Sequence, residues 1–188
     1  CRAANIPVNS SPAAVDGVDT GISPQNPVLS LQGTGTLAFW FRHNQAWSGA
    51  TASSVQLLDA SGAGGAWFYL SKRANGSLVF TVRDSSGVVR SVTSPVQNFA
   101  VNTWVHLAVS WDFNGASGAN QDGLRIHVNA AAPTLASFTA AGALDPAIGN
   151  IVMGDNARGV ADANGSLNSA NGLIDELYAY NFVLSTTQ

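Results

Sequence analysis

The chain has 188 residues, enough for one domain, and a chain of that size buries roughly 70% of its unfolded surface, so neither disulfide nor metal is needed merely to hold a core. Hydrophobic residues make up 46% and charged residues only 10%, well under the roughly 25% of ordinary soluble domains, so Asn, Ser, Thr, Gly and Gln must cover a surface of the kind common on secreted β-proteins. A net charge of −3 with one lysine, Lys72, offers no basic patch and so no nucleic-acid partner, and no apolar run approaches the roughly 18 residues of a membrane span.

In chain order, residues 1–30 are rich in Pro, Ser and Asn. They read as an irregular lead-in, with residues 1–13 preceding the sandwich proper and room for one short strand. The chain opens on its single cysteine, Cys1, with no initiator Met, and is expected to be a piece of a larger protein. Cys1 is open to three readings: a lipidated N-terminus, half of a disulfide to a partner elsewhere, or an accident of the boundary.

After the lead-in, short apolar runs alternate with turn signals. TLAFWFRH (36–43) sets Leu37, Phe39 and Phe41 against Thr36, Ala38 and Trp40. SVQLLDA (54–60) follows, then a meander: GAWFYLSKR, the turn ANGS, LVFTVR, the turn DSSG, and VVRSVTS. Asn75-Gly76 and Ser86-Gly87 suit hairpins that need positive φ. WVHLAVSWD (104–112) and GLRIHVNAA (123–131) form another pair across a Gly/Asn-rich loop. IGNIVMGDN (148–156) and GLIDELYAYNFVL (172–184) complete the set. No helical period persists, and strands recur every 10–15 residues or so. That spacing predicts an all-β antiparallel sandwich of a single domain.

Trp40, Trp67, Trp104 and Trp111 lie inside strand runs and are expected to be buried. Trp47, in HNQAWSGA, has polar and small neighbours. It either sits bare on a loop, where it can stack on a sugar, or folds back as a lid over the sheet. His106 shares a parity with Trp104 and reads as a structural imidazole. His127 alternates with Arg125 on a face expected to be solvated, which makes both candidate ligand contacts.

Catalysis finds little support. The acids are ten aspartates and one glutamate, Glu176, and no segment sets two of them in one register. Asp175 and Glu176 are adjacent, so regular strand geometry points them to opposite faces, whereas retaining glycoside hydrolysis needs two carboxyls flanking one bond. No nucleophile elbow, metal-type histidine spacing or phosphate loop occurs. Strict alternation groups Asp175 with Leu173, Leu177 and Ala179. If that face packs inward, Asp175 must be paired with a cation or with backbone N–H groups. Calcium takes oxygen ligands in irregular geometry, and Asp16 and Asp19 in VDGVDTG, or Asp155 and Asn156, are further oxygen donors. Glu176 is expected in a groove or on the surface.

The segments GTLAFWFR, ANGSLVFTV, NTWVHLAVSWD, LRIHVN, IVMGDN and GLIDELYAYNFVLS, in this order, resemble the laminin-G-like, concanavalin A-type jelly-roll family over residues 14–187 or so. The resemblance implies a jelly-roll sandwich of two curved antiparallel sheets. It further implies a non-catalytic recognition module of secreted and surface proteins, binding sugars or proteins, with structural calcium held by Asp175 and, from the VDGVDTGI opening, Asp16 and Asp19. Val15 replaces the family's Phe, and Asn129-Ala130 replaces its Asn-Gly turn. Related glucanases carry Glu-x-Asp-x-x-Glu, which a chain with one glutamate lacks. The Ala/Ser/Asn-rich texture is similar to jelly-roll segments in surface proteins of MSHA-type (type IV) pilus biogenesis. The expected function is therefore adhesion at a bacterial surface through glycan or protein recognition by Trp47, Arg125 and His127. The alternative is a structural spacer within a large surface protein, with no ligand of its own.

Overall fold

The run TLAFWFRH becomes the middle of strand β3 (Thr34–His43), with Leu37, Phe39 and Phe41 fully buried on one face and Trp40 exposed on the other. This is the period-2 pattern of a sheet with one face packed and one open. The computed structural model describes residues 3–8, 16–113, 123–138, 142–156 and 168–184. The other strands are β1 (Ala4–Ile6), β2 (Val18–Asp19), β4 (Val55–Asp59), β5 (Phe68–Lys72), β6 (Leu78–Arg83), β7 (Val89–Thr93), β8 (Trp104–Asp112), β9 (Gly123–Val128), β10 (Thr134–Ser137), β11 (Val152–Met153) and β12 (Gly172–Tyr180).

They form two six-stranded sheets. The front sheet runs β1-β12-β3-β8-β9-β10 and the back sheet β2-β11-β4-β5-β6-β7, and every pairing described is antiparallel. The expected antiparallel sandwich is what forms. The lead-in supplies two short strands rather than one: β1 pairs with β12 in the front sheet and β2 with β11 in the back sheet.

The core fills the gap between the sheets. Trp111 of β8 meets Phe68 of β5 edge-on at 5.2 Å, and Phe68 meets Phe80 of β6 at 5.4 Å. Trp111 is the tryptophan whose expected burial holds, and its Nε1 donates to the Leu31 carbonyl at 2.8 Å. Opposite it stands Gly35, where a Cβ would lie 2.3 Å from the indole. Only glycine admits the ring there. The two expected hairpins close with Gly76 at φ 89° and Gly87 at φ 84°.

Candidate functional site

Ladder register lays out the open face of the front sheet. Asp175 stands opposite Trp40 and Trp40 opposite His106. The next row is Tyr178, Ala38, Ala108 and His127, and the row after it Tyr180, Thr36, Ser110 and Arg125. Arg42 is opposite Trp104, so Trp40 and Trp104 are diagonal neighbours on adjacent strands, roughly 7–8 Å apart and within reach for large side chains. Each indole is 37% exposed. Together with Asp175 and Glu176 they line an open depression of about 340 Å³.

The local structure that makes this depression is a β-bulge. Between Asp175 and Tyr178 strand β12 spends three residues while β3 spends two, from Trp40 to Ala38. Glu176 is the extra residue, at φ 52° in the left-handed region. The bulge reverses the parity of everything after it. Ile174 faces the core, Asp175 faces out beside Trp40, Leu177 and Ala179 pack back against the core, and Tyr178 is 51% exposed.

Aromatic surface continues from the depression along this edge. Tyr178 stacks on Tyr180 at 6.2 Å, and Tyr180 meets Phe182 at 5.4 Å. Phe182 and Leu184 cross the lower end of the face, where Thr36 Oγ1 donates to the Phe182 carbonyl at 2.6 Å and accepts from the Leu184 N–H at 3.2 Å. On the other side of Trp40, the His106 ring packs against the indole at 5.2 Å. Burial holds His106 below its ordinary pKa, against a smaller opposing pull from Glu176. The Arg42 guanidinium lies 5.7 Å from the Trp104 ring centre.

The tryptophans exchange their expected roles. Trp40 and Trp104, expected in the core, are the exposed pair. Trp47 is fully buried, with Phe99 at 5.0 Å, Phe41 at 6.1 Å and the Lys72 ammonium 6.0 Å from its ring. Of its two readings the folded-back lid is the one the structure shows, and its ring has no free face for a sugar. Arg125 and His127 do lie on the open face, but each is only 7% exposed, so the expectation of a solvated strand is corrected. β9 is an interior strand, and its outward side chains are wedged between those of β8 and β10. His127 Nε2 is buried without a hydrogen-bond partner, and burial followed by the charges of Arg125 and His106 lowers its pKa.

The carboxylates expected to hold calcium do not converge. Asp175, turned outward by the bulge, accepts from the Glu176 N–H at 2.9 Å and is not the buried charge that would require a cation. Asp19 lies in the back sheet and caps the Gly21 N–H at 2.9 Å. The Asp16 N–H donates to buried Asp155 at 2.7 Å, and Asp155 also accepts from the Asn156 N–H. Burial raises the Asp155 pKa, the Asp16 charge adds to that rise, and these two hydrogen bonds oppose it. Among the described residues no three His, Cys, Asp or Glu side chains form a metal-binding group, and Asp175 of the front sheet stands apart from Asp19 of the back sheet. Cys1 and Val15 lie outside the described residues.

The bulge also corrects the expectation that Asp175 and Glu176 point to opposite faces, since both line the depression. They stand side by side on the β12 wall. A glycosidic bond would have to lie between two acids for paired-carboxylate hydrolysis. Sequence reasoning missed Trp40 and Trp104, although their parity with Thr36, Ala38 and His106 was the signal that marked them as outward.

The sequence profile of the concanavalin A-like lectin/glucanases superfamily matches residues 16–188. No curated protein matches the chain significantly in sequence. Among solved structures, the Ruminococcus gnavus IT-sialidase CBM40 bound to alpha2,3 sialyllactose superposes with a TM-score of 0.66 at 16% identity, covering 98% of this chain and 92% of that one. The LG4-5 domains of the mouse laminin alpha1 chain give 0.57 at 16% identity, covering 83% and 40%. The NanB sialidase of Streptococcus pneumoniae gives 0.59 at 17% identity, covering 87% and 25%. At such identities the likeness is one of fold.

Proposed function

The chain belongs to the concanavalin A-like lectin/glucanases superfamily, and from that premise we propose that it is a non-catalytic recognition module whose open front face binds glycan. The observation that carries this reading is the pair of half-exposed indoles, Trp40 and Trp104, lining one depression with two carboxylates. An indole offers a flat apolar surface to a sugar ring, and carboxylates accept hydrogen bonds from its hydroxyls. Pockets of this kind, apolar walls with a few placed polar groups, are how small polar ligands are held. Tyr178 extends the surface and suits a ligand longer than one sugar.

The fold likeness to a carbohydrate-binding module and to laminin domains supports recognition of glycan or protein over catalysis. The setting we propose is extracellular, in adhesion at a bacterial surface within a larger protein of the type IV pilus kind. The support there is the charge-poor Ala/Ser/Asn-rich composition. A shallow site binds weakly, and display of many copies on a surface would raise the avidity.

The test is a glycan array with the isolated domain and with Trp40→Ala and Trp104→Ala. Trp67→Ala serves as the control, because Trp67 lies on the back sheet side in a separate depression with Asp59 and Gly62. Glycan binding lost in the first two and kept in the third supports the reading. No glycan bound by the wild type favours the spacer.

A further inference from the structure

Two carboxylates without an ion-pair partner among the described residues, beside two exposed indoles, make an unusual wall for a neutral sugar. The salt bridges among the described residues are Arg83–Asp145 and Arg90–Asp84, and neither involves Asp175 or Glu176. Asp175 spends one oxygen on the Glu176 N–H. Glu176, exposed at the apex of the bulge, is placed there by a backbone conformation that few residues adopt readily. The nearest cationic groups by register are Arg42 and His106. Arg42 has its guanidinium over Trp104, and His106 is held toward its neutral form by burial. The depression therefore carries more negative than positive charge at neutral pH.

Indole faces carry negative electrostatic potential and attract cations, most strongly when partly desolvated. Arg42 already uses the Trp104 ring in this way. Carboxylates beside aromatic walls reinforce that preference and disfavour an acidic sugar. The volume, about 340 Å³, is at the low end for ligand pockets and suits one monosaccharide unit.

We propose that this depression recognises an ammonium-bearing sugar, so that the glycan bound by the front face contains free amino-sugar residues of the glucosamine type. The inference rests on the glycan-binding reading above and adds the chemical class of the ligand. The ammonium sits against Asp175 and Glu176 while the sugar ring stacks on Trp40 or Trp104. N-acetylation removes the charge and with it the contribution of both carboxylates.

Calorimetric titration of the whole 188-residue chain with three tetrasaccharides of matched linkage tests this: β-1,4-glucosamine, its fully N-acetylated form, and β-1,4-glucose. The expected result is about tenfold or greater preference for the free amine. That preference should collapse toward unity in the double variant Asp175→Asn, Glu176→Gln, whose melting temperature is checked against the wild type. Equal binding of all three, still sensitive to Trp40→Ala, overturns the amine assignment and leaves glycan recognition standing. Binding only to other glycans on the array does the same. Failure of every glycan to bind overturns both.

Discussion

Asp175 stands opposite Trp40, and three positions later Tyr178 stands opposite Ala38, two positions from Trp40. This one-residue mismatch places both acids beside an indole and turns the tyrosines outward. Deleting Glu176 removes the extra residue, so Leu177 would fall opposite Phe39, with Asp175, Tyr178 and Tyr180 still outward and Leu177 and Ala179 still inward. We expect that deletion to fold with an unbroken β12–β3 ladder and to melt close to the wild-type temperature, while one acid of the depression is lost. Glu176→Gly, which suits φ 52° better, should melt at or above the wild-type temperature. Thermal melts of the two variants check this.

Trp47 and Trp40 should behave oppositely. Trp47→Ala opens a cavity where a fully buried indole packs against Phe41 and partly buried Phe99 and should cost about 3–5 kcal/mol in urea unfolding. Trp40→Ala and Trp104→Ala remove partly exposed rings and should cost about 1–2 kcal/mol while abolishing ligand binding.

Stability should climb with pH in two steps. His43 is fully buried, and burial, then the Lys72 charge, lower its pKa from 6.5 to about 4. Between those values the unfolded chain holds a proton that the native chain does not, so acidification from 6.5 to 4 destabilises, by roughly 3 kcal/mol at most. Burial lowers Lys72 from 10.5 to about 8. The native chain gives up that proton first, so stability rises again between pH 8 and 10.5. Urea midpoints across pH should show both limbs, with Lys72→Met flattening the alkaline one.

Asp84 closes the β6–β7 hairpin. Its Oδ1 accepts from the Ser86 N–H at 3.0 Å and the Val88 N–H at 2.9 Å, and its Oδ2 from Arg90 Nε at 2.7 Å. Burial pushes its pKa up, but these bonds and the Ser86 hydroxyl together outweigh that and hold it below the ordinary 3.8. Its stabilisation is present above that value and lost as pH falls through the native one. Asp84→Asn should cost about 2–3 kcal/mol at pH 7, measured by urea unfolding.

Alternation and turn chemistry made most strands legible. LVFTVR between Asn75-Gly76 and Ser86-Gly87 reads as a hairpin strand because period and positive-φ residues agree. Strand β10 was not legible: TLAS is weak in β-branched residues, and only its edge pairing with β9 makes it a strand. The binding face was half legible. Parity already set Trp40 with Ala38 and Trp104 with His106, but tryptophan in a strand suggested burial more strongly than parity suggested exposure. The position of Asp175 was not legible, because nothing in IDELY announces a bulge at Glu176. The burial of Trp47 comes from contacts with Phe41 and Phe99, the latter 52 positions away in sequence, which local composition does not encode.

The most direct measurement is the affinity of wild type, Trp40→Ala, Trp104→Ala and Trp67→Ala for the best glycan found on the array. The account predicts at least tenfold weaker binding for the first two variants, with Trp67→Ala unchanged and all four proteins folded. Undiminished binding by Trp40→Ala and Trp104→Ala would place the ligand elsewhere and contradict the account.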